Sequence, residues 1–128
     1  MAELNRLDHV TVGVSDVGRS KKFYDLALQP LGITRLYAEG DGFAGYGVHP
    51  KAFFWIGLRP TAQTGAHIAF KAPDRATVDR FYHEAIAAGG RDNGQPGIRP
   101  HYHPNYYGAF VLDPDGHNIE AVCHLPQG

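Results

Sequence analysis

The sequence predicts an α+β fold made of two βαβββ modules. Three observations lead there. Apolar and polar residues alternate over short segments; glycine and proline (16 and 9 of 128 residues) are plentiful enough to end each segment in a turn; and a pattern recurs at a constant offset. His67 lies 58 positions after His9, and the same step carries Asp16, Phe23, Tyr24 and Gly32 onto Asp74, Phe81, Tyr82 and Gly90. Each copy of H-x6-D-x6-F-Y-x7-G reads as strand, cap, helix and stop, and a unit of this length needs a partner to bury its apolar face. The modules are expected at 5–60 and 65–125, within one domain spanning 1–128.

The elements follow in order. Residues 7–14 alternate strictly, with Val10, Val12 and Val14 on one face and His9, Thr11 and Gly13 on the other, the period of a strand. Asp16 caps the next segment, where Val17, Ser20, Phe23, Tyr24, Ala27 and Leu31 recur at helical spacing until Pro30 and Gly32 end it. Short strands are expected at 33–38, 43–48 and 52–58, then a polar linker at 59–65. The pattern restarts with a strand at 65–72, where Ile68 and Phe70 oppose His67, Ala69 and Lys71. Asp74 opens a helix through Ala88, with Val78, Phe81, Ala85 and Ala88 on its apolar stripe and Gly89-Gly90 as its stop. Residues 92–104 read as loop. The last two strands flank Asp113-Pro114-Asp115-Gly116, where Pro114 presets φ and Gly116 accepts the left-handed conformation. On the final strand Asn118, Glu120 and Val122 share one face, and Ile119, Ala121 and Cys123 the other. Glu120 is that strand's one carboxylate, either a solvated sheet residue or a ligand in a cavity.

Composition bounds the function. With 43% hydrophobic residues, 20% charged and a formal net charge of −1, the chain has no electrostatic footprint for nucleic acid or an anionic membrane. MAELNRLDHV carries neither a basic n-region nor a long apolar run, so no signal peptide or membrane span is expected, and the expected location is cytoplasmic. Cys123 is the one cysteine, which excludes an internal disulfide and thiolate clusters. Eight histidines are the other excess; His49, His83, His117 and His124, at turns, on a helix and near the tail, read as surface residues.

The two hairpins correspond as well. Val48-His49-Pro50-Lys51 stands where Leu112-Asp113-Pro114-Asp115 stands, with one residue fewer in the first turn, which puts Trp55 in the place of Glu120. Through LDHVTVGVSDVGRSKKFYDLAL, HIAFKAPDRATVDRFYHEA and GAFVLDPDGHNIEAV, nearly the whole chain resembles the vicinal oxygen chelate superfamily. That superfamily holds glyoxalase I, extradiol dioxygenases, fosfomycin and bleomycin resistance proteins, and epimerases. The resemblance implies that the two modules curl their sheets into a half-open barrel (the glyoxalase/bleomycin resistance/dioxygenase fold) around a divalent metal. The ligands it implies come from the first and last strands of each module, here His9, Trp55, His67 and Glu120. His9, His67 and Glu120 are therefore the candidate metal ligands. Two imidazoles and a carboxylate suit Fe, Mn, Zn, Ni or Co and leave positions open for a chelating substrate.

Trp55 departs from the pattern, because glyoxalase I resembles a site with a proton-moving glutamate there, and an indole neither ligates nor accepts a proton. The loop RPHYHPNYYGAF offers His103, Tyr107 and His101 as proton-transfer groups. Phe110 fills the place, ten before Glu120, where extradiol dioxygenases would lead one to expect a tyrosine. Phe53, Trp55, Lys71 and Tyr107 are the candidate substrate-binding residues, an aromatic wall with few polar groups. The resemblance thus implies a divalent-metal-dependent enzyme acting on a small substrate through neighbouring oxygens. It is glyoxalase-like (lyase or isomerase) or extradiol-dioxygenase-like, and not glyoxalase I proper. The alternative is a metal-free drug- or ligand-sequestering protein of the bleomycin resistance type. A homodimer is expected from the family, with no nucleic-acid or membrane partner.

Overall fold

In the computed structural model, which describes residues 6–59, 61 and 63–126, the alternating and capped segments form two four-stranded sheets and two helices. Pro60 and Ala62 of the expected linker lie outside the described residues, as do the first five residues used in the leader reading. The first sheet contains β1 (Val10–Val14), β2 (Thr34–Glu39), β3 (Phe43–Val48) and β4 (Lys51–Leu58) in the order β1-β4-β3-β2. The second contains β5 (His67–Lys71), β6 (Arg91–Ile98), β7 (Tyr107–Leu112) and β8 (Asn118–Cys123) in the order β5-β8-β7-β6. Helix α1 (Val17–Ala27) follows β1, and α2 (Arg75–Ala87) follows β5. The sheets do not close on one another, which is the half-open arrangement expected.

Each helix begins where the sequence caps it. The Asp16 carboxylate accepts the Arg19 N–H at 3.0 Å, and Asp74 accepts the Thr77 N–H at 2.8 Å, each satisfying a donor that has no partner inside the helix. Phe23, Tyr24 and Ala27 of α1 and Val78, Phe81 and Ala85 of α2 are buried in one core, with Val12, Phe54, Phe70, Ala109 and Ile119 from the sheets. Phe54 and Phe70 meet edge to face at 5.3 Å, joining the two halves. The core takes one face of each sheet and leaves the other open.

Register confirms the alignment of the repeats. Thr11 pairs with Trp55 on the parallel β1–β4 ladder, and Ala69, which is 58 positions after Thr11, pairs with Glu120 on β5–β8. Trp55 and Glu120 are equivalent.

Two expectations need correction. A strand, β6, occupies most of the expected loop at 92–104. Its sequence, RDNGQPGI, has no apolar alternation because it is an outer edge strand, largely exposed, and it carries Pro96 and Gly94, with register shifts on either side of Gly94. The second correction is His117, which is 2% exposed rather than on the surface. Its Nδ1 accepts the Ala66 N–H at 3.1 Å, so Nε2 carries the proton and donates to the Gly13 carbonyl at 2.8 Å. The hairpin turn folds onto the first module instead of into solvent.

Around that turn the buried Asp113 accepts from the Tyr24 hydroxyl at 2.5 Å, the His117 N–H at 2.8 Å and the Asp115 N–H at 2.9 Å. Asp115 in turn accepts the Ser15 N–H at 3.2 Å. His117→Ala would leave the Ala66 N–H and Gly13 carbonyl unpaired beside a void. Urea unfolding should register a loss of roughly 2–4 kcal/mol, and a loss under about 0.5 kcal/mol would refute this role.

Tyr24, Tyr46 and Tyr107 donate to Asp113, Asp25 and Asp79 at 2.5, 2.9 and 2.6 Å. Burial first, then the neighbouring carboxylate, raises all three phenols, Tyr107 being pushed up to about 12. A phenol whose folded value exceeds its unfolded value of about 10 contributes stability that is complete below that pH and is lost as the pH climbs through the folded value. With Tyr106, raised likewise beside Glu120, four phenols are held back, so at about pH 11 absorbance at 295 nm should fall about four phenolates short of the seven tyrosines, the remainder ionising as the chain unfolds at higher pH. Complete ionisation at that pH with an unchanged circular dichroism spectrum would contradict the pairing.

Candidate functional site

On the open face of the second sheet, Glu120 is flanked by its register partners Ala69 on β5 and Phe110 on β7. Glu120 is 1% exposed. His67, two residues before Ala69 on the same face, brings Nε2 to 2.7 Å from Glu120 Oε1. Tyr106 donates its hydroxyl to Oε2. Gly108 makes room for this: a Cβ there would stand 3.2 Å from the Tyr106 ring and 3.4 Å from Glu120 Oε2. Desolvation, and then the hydrogen bond to Glu120, raises the Tyr106 phenol above its ordinary value and keeps its proton in place.

Beyond Tyr106 lie two histidines. His103 Nδ1 accepts the Asn105 N–H at 3.0 Å, so its Nε2 is the protonated nitrogen and donates to His124 Nδ1 at 2.9 Å. Both imidazoles meet the Tyr106 ring edge-on, with centroids at 5.5 and 5.4 Å. His101 is exposed and packs on Tyr102 at 4.2 Å, one ring further from Glu120.

Tyr107 is turned the other way. Its hydroxyl donates to Asp79 on α2 and its ring lies under the Arg75 guanidinium, on the helix-packed face. The aromatic hydroxyl at Glu120 is Tyr106, not Tyr107. Hairpin parity carries this information: Phe110 opposes Glu120, so even-numbered residues of β7 and the residue just before it share the glutamate's face. His124 and His117 had no comparable signal, because their partners are distant in sequence.

The first module presents a different surface. His9 precedes β1 and is exposed; its Nδ1–H donates to Asp8 Oδ1 at 2.7 Å, which leaves Nε2 with a free lone pair. Asp8 also accepts from Lys51 Nζ at 2.6 Å, and first Lys51, then His9, lowers its carboxyl below the ordinary value. Trp55 is half-buried and stacks on Tyr37 at 5.9 Å with rings 12° apart, while Phe43 tilts against it at 6.0 Å. His9, Lys51 and Trp55 line a recess of about 320 Å³. Phe53 and Lys71 meet His9 in a neighbouring recess of about 360 Å³.

Within one chain, then, His67 and Glu120 meet and His9 stands apart beside Asp8. Among the described residues no three His, Cys, Asp or Glu side chains gather into a group able to hold a metal ion. The donors nevertheless fit a divalent ion in kind: an imidazole beside a desolvated carboxylate, and a second imidazole whose tautomer is fixed by an aspartate behind it. No helix among the described residues is long and apolar enough to cross a membrane.

Comparison with known proteins agrees with this architecture. The Glyoxalase/Bleomycin resistance protein/Dioxygenase superfamily profile matches residues 6–121. A glyoxalase/bleomycin resistance protein from Albidiferax ferrireducens is 31% identical with a TM-score of 0.78, over 94% of this chain and 100% of that one. A glyoxalase-related enzyme from Fulvimarina pelagi shares the fold at 21% identity and TM-score 0.73, over 94% of this chain and 88% of that one. A glyoxalase/bleomycin resistance protein/dioxygenase family enzyme from Burkholderia phytofirmans does so at 20% and 0.71, over 93% and 98%. No curated protein matches the chain. On the match over residues 6–121 and the two-sheet architecture, the chain belongs to the glyoxalase/bleomycin resistance protein/dioxygenase superfamily.

Proposed function

We propose that this chain is a divalent-metal-dependent enzyme acting on a small substrate through two neighbouring oxygens. It would be a lyase, isomerase or dioxygenase of the vicinal oxygen chelate type, and not glyoxalase I proper, since Trp55 stands where that enzyme needs a carboxylate. The observation that carries the reading is Glu120. A carboxylate 1% exposed, on the face turned away from the helices and held among the described residues only by His67 and Tyr106, is costly to bury for structure alone. Beside an imidazole it is a ready hard-ion donor.

His9, His67 and Glu120 would hold the ion, drawn from Fe, Mn, Zn, Ni and Co. When bound, such an ion supplies Lewis acidity that polarises paired substrate oxygens. The chain's own residues do the rest. Tyr106 keeps a proton beside the carboxylate and orients it. His103, relayed through His124 to solvent, is the group that exchanges protons with water, with the exposed His101 as a further carrier. Tyr107 is committed to Asp79 and takes no part in this step. Phe53 and Trp55 form the apolar wall, with Lys71 the cation at its edge.

Because His9 does not reach His67 and Glu120 in its own chain, the set is completed by His9 of a second copy, giving a cytoplasmic homodimer with two shared sites. Each chain acts as one domain, its two modules serving different sites of the dimer.

Metal analysis of protein purified without chelator should give about one equivalent per chain, lost in both His67→Ala and His9→Ala. Mixed dimers of those two variants should regain one site each, about a quarter of an equivalent per chain in a random mixture. No metal in the unmodified chain after reconstitution with each ion would overturn the enzyme reading in favour of a ligand-sequestering protein. No recovery in the mixture would overturn the shared site. Tyr106→Phe, which removes the hydroxyl behind the carboxylate, should leave the stoichiometry intact and weaken metal affinity by about 10–100-fold in a competition titration. Unchanged affinity would remove Tyr106 from the site.

A further inference from the structure

The open face of the first sheet holds a charged group that neither metal binding nor proton transfer uses. Gly13 and Gly57 are register partners on β1 and β4, and Arg59 folds back into the gap they leave. A Cβ on Gly57 would stand 2.8 Å from Arg59 Nη1, while one on Gly13 would meet the Gln63 amide first and then Arg59 Cγ at 2.7 Å. Two residues before Gly57 on the same strand, Trp55 lies across Gly45, where a Cβ would come within 2.6 Å of the indole ring. Glycines thus seat a guanidinium and an indole on one sheet face, their anchor positions about 7 Å apart along β4.

Arg59 is available for a ligand. Among the described residues its one acceptor is the Leu58 carbonyl at 3.1 Å, and no carboxylate pairs with it. Trp55 lines a recess of about 320 Å³, and the Arg59 side chain, seated over Gly57 two strand positions from Trp55, is exposed to solvent.

We infer that Arg59 and Trp55 form an anion-and-ring subsite, and that the substrate is a small aromatic carboxylate. A guanidinium presents a planar fork that matches a carboxylate in two hydrogen bonds. An indole held by Tyr37 and Phe43 and bordering the recess presents ring surface there to another ring. Neutral rings would leave Arg59 unpaired, and aliphatic acids would leave the wall unused. The inference deepens the reading above and rests on this face being the substrate side of the cavity.

Trp55 is the chain's one tryptophan, so its fluorescence reports on the subsite directly. Benzoate titrated into full-length chain, stripped of metal and dialysed free of chelator, should change the emission saturably in the millimolar range, with benzyl alcohol at least about tenfold weaker. Arg59→Gln should weaken benzoate by about tenfold or more and leave benzyl alcohol unaffected, while Arg59→Lys should retain part of the difference. Equal benzoate affinity in Arg59→Gln, equal affinity for benzyl alcohol and benzoate, or no saturable response would each overturn the subsite. Stripped protein separates the two readings. Arg59-dependent benzoate binding stands even if no metal is ever found, and a metal-binding chain indifferent to Arg59→Gln keeps the metal site and loses this subsite.

Discussion

Burying Glu120 sets the terms for the second module. A carboxylate withdrawn from water loses several kcal/mol of hydration unless donors replace it, and on an open sheet face those donors must come from neighbouring strands. One comes from His67, diagonal to Glu120 on the parallel strand, and the other from Tyr106, just before the antiparallel one. Both reach it only in this register, since a slip of one residue would turn either side chain toward the helices. Gly108 is part of the same constraint, because any side chain there would crowd both the phenol ring and the carboxylate.

The first module repeats the topology with opposite chemistry. In the place of Glu120 it has Trp55, and around the indole glycines replace side chains at 13, 45 and 57. The bared backbone lets Trp55 lie flat and lets Arg59 fold inward. One sheet therefore offers hydrogen-bonding and metal-type donors and the other offers a ring wall with a cation. Internal duplication supplied two equivalent sheets, and the residues on their open faces have made them different. A substrate held between such surfaces would be gripped by unlike groups at its two ends, which fixes its orientation in a way two like surfaces would not.

Much of this was legible in the residues. The step of 58 positions located both helices with their aspartate caps, and the alternation in β1, β5 and β8 separated helix-facing from open-facing side chains. The equivalence of Trp55 and Glu120, reached by aligning turns, is the one the ladders record. What escaped was tertiary in origin. β6 carries no alternation because neither of its faces is deeply covered, so its pairing with β7 is invisible in its own composition. His117 sits in a turn, the usual place for a solvated residue, yet the groups it bonds are Gly13 and Ala66, 104 and 51 positions away. Tyr106 and Tyr107 are adjacent and alike, and only strand parity tells which one meets the glutamate.

The helix-packed side explains why the open side can remain so free. Three tyrosine–aspartate pairs lie on the helix side of the sheets: Tyr24 reaches from α1 to the β7–β8 turn, Tyr46 from β3 to α1, and Tyr107 from β7 to α2. Together with His117 they tie strands to helices and one module to the other, using neutral donors whose burial keeps them protonated across the physiological range. Because the scaffold is fixed from that side, the open faces need not contribute packing to hold the fold. They can carry an exposed His9 bonded only locally to Asp8, and an exposed Arg59 that among the described residues pairs with no carboxylate.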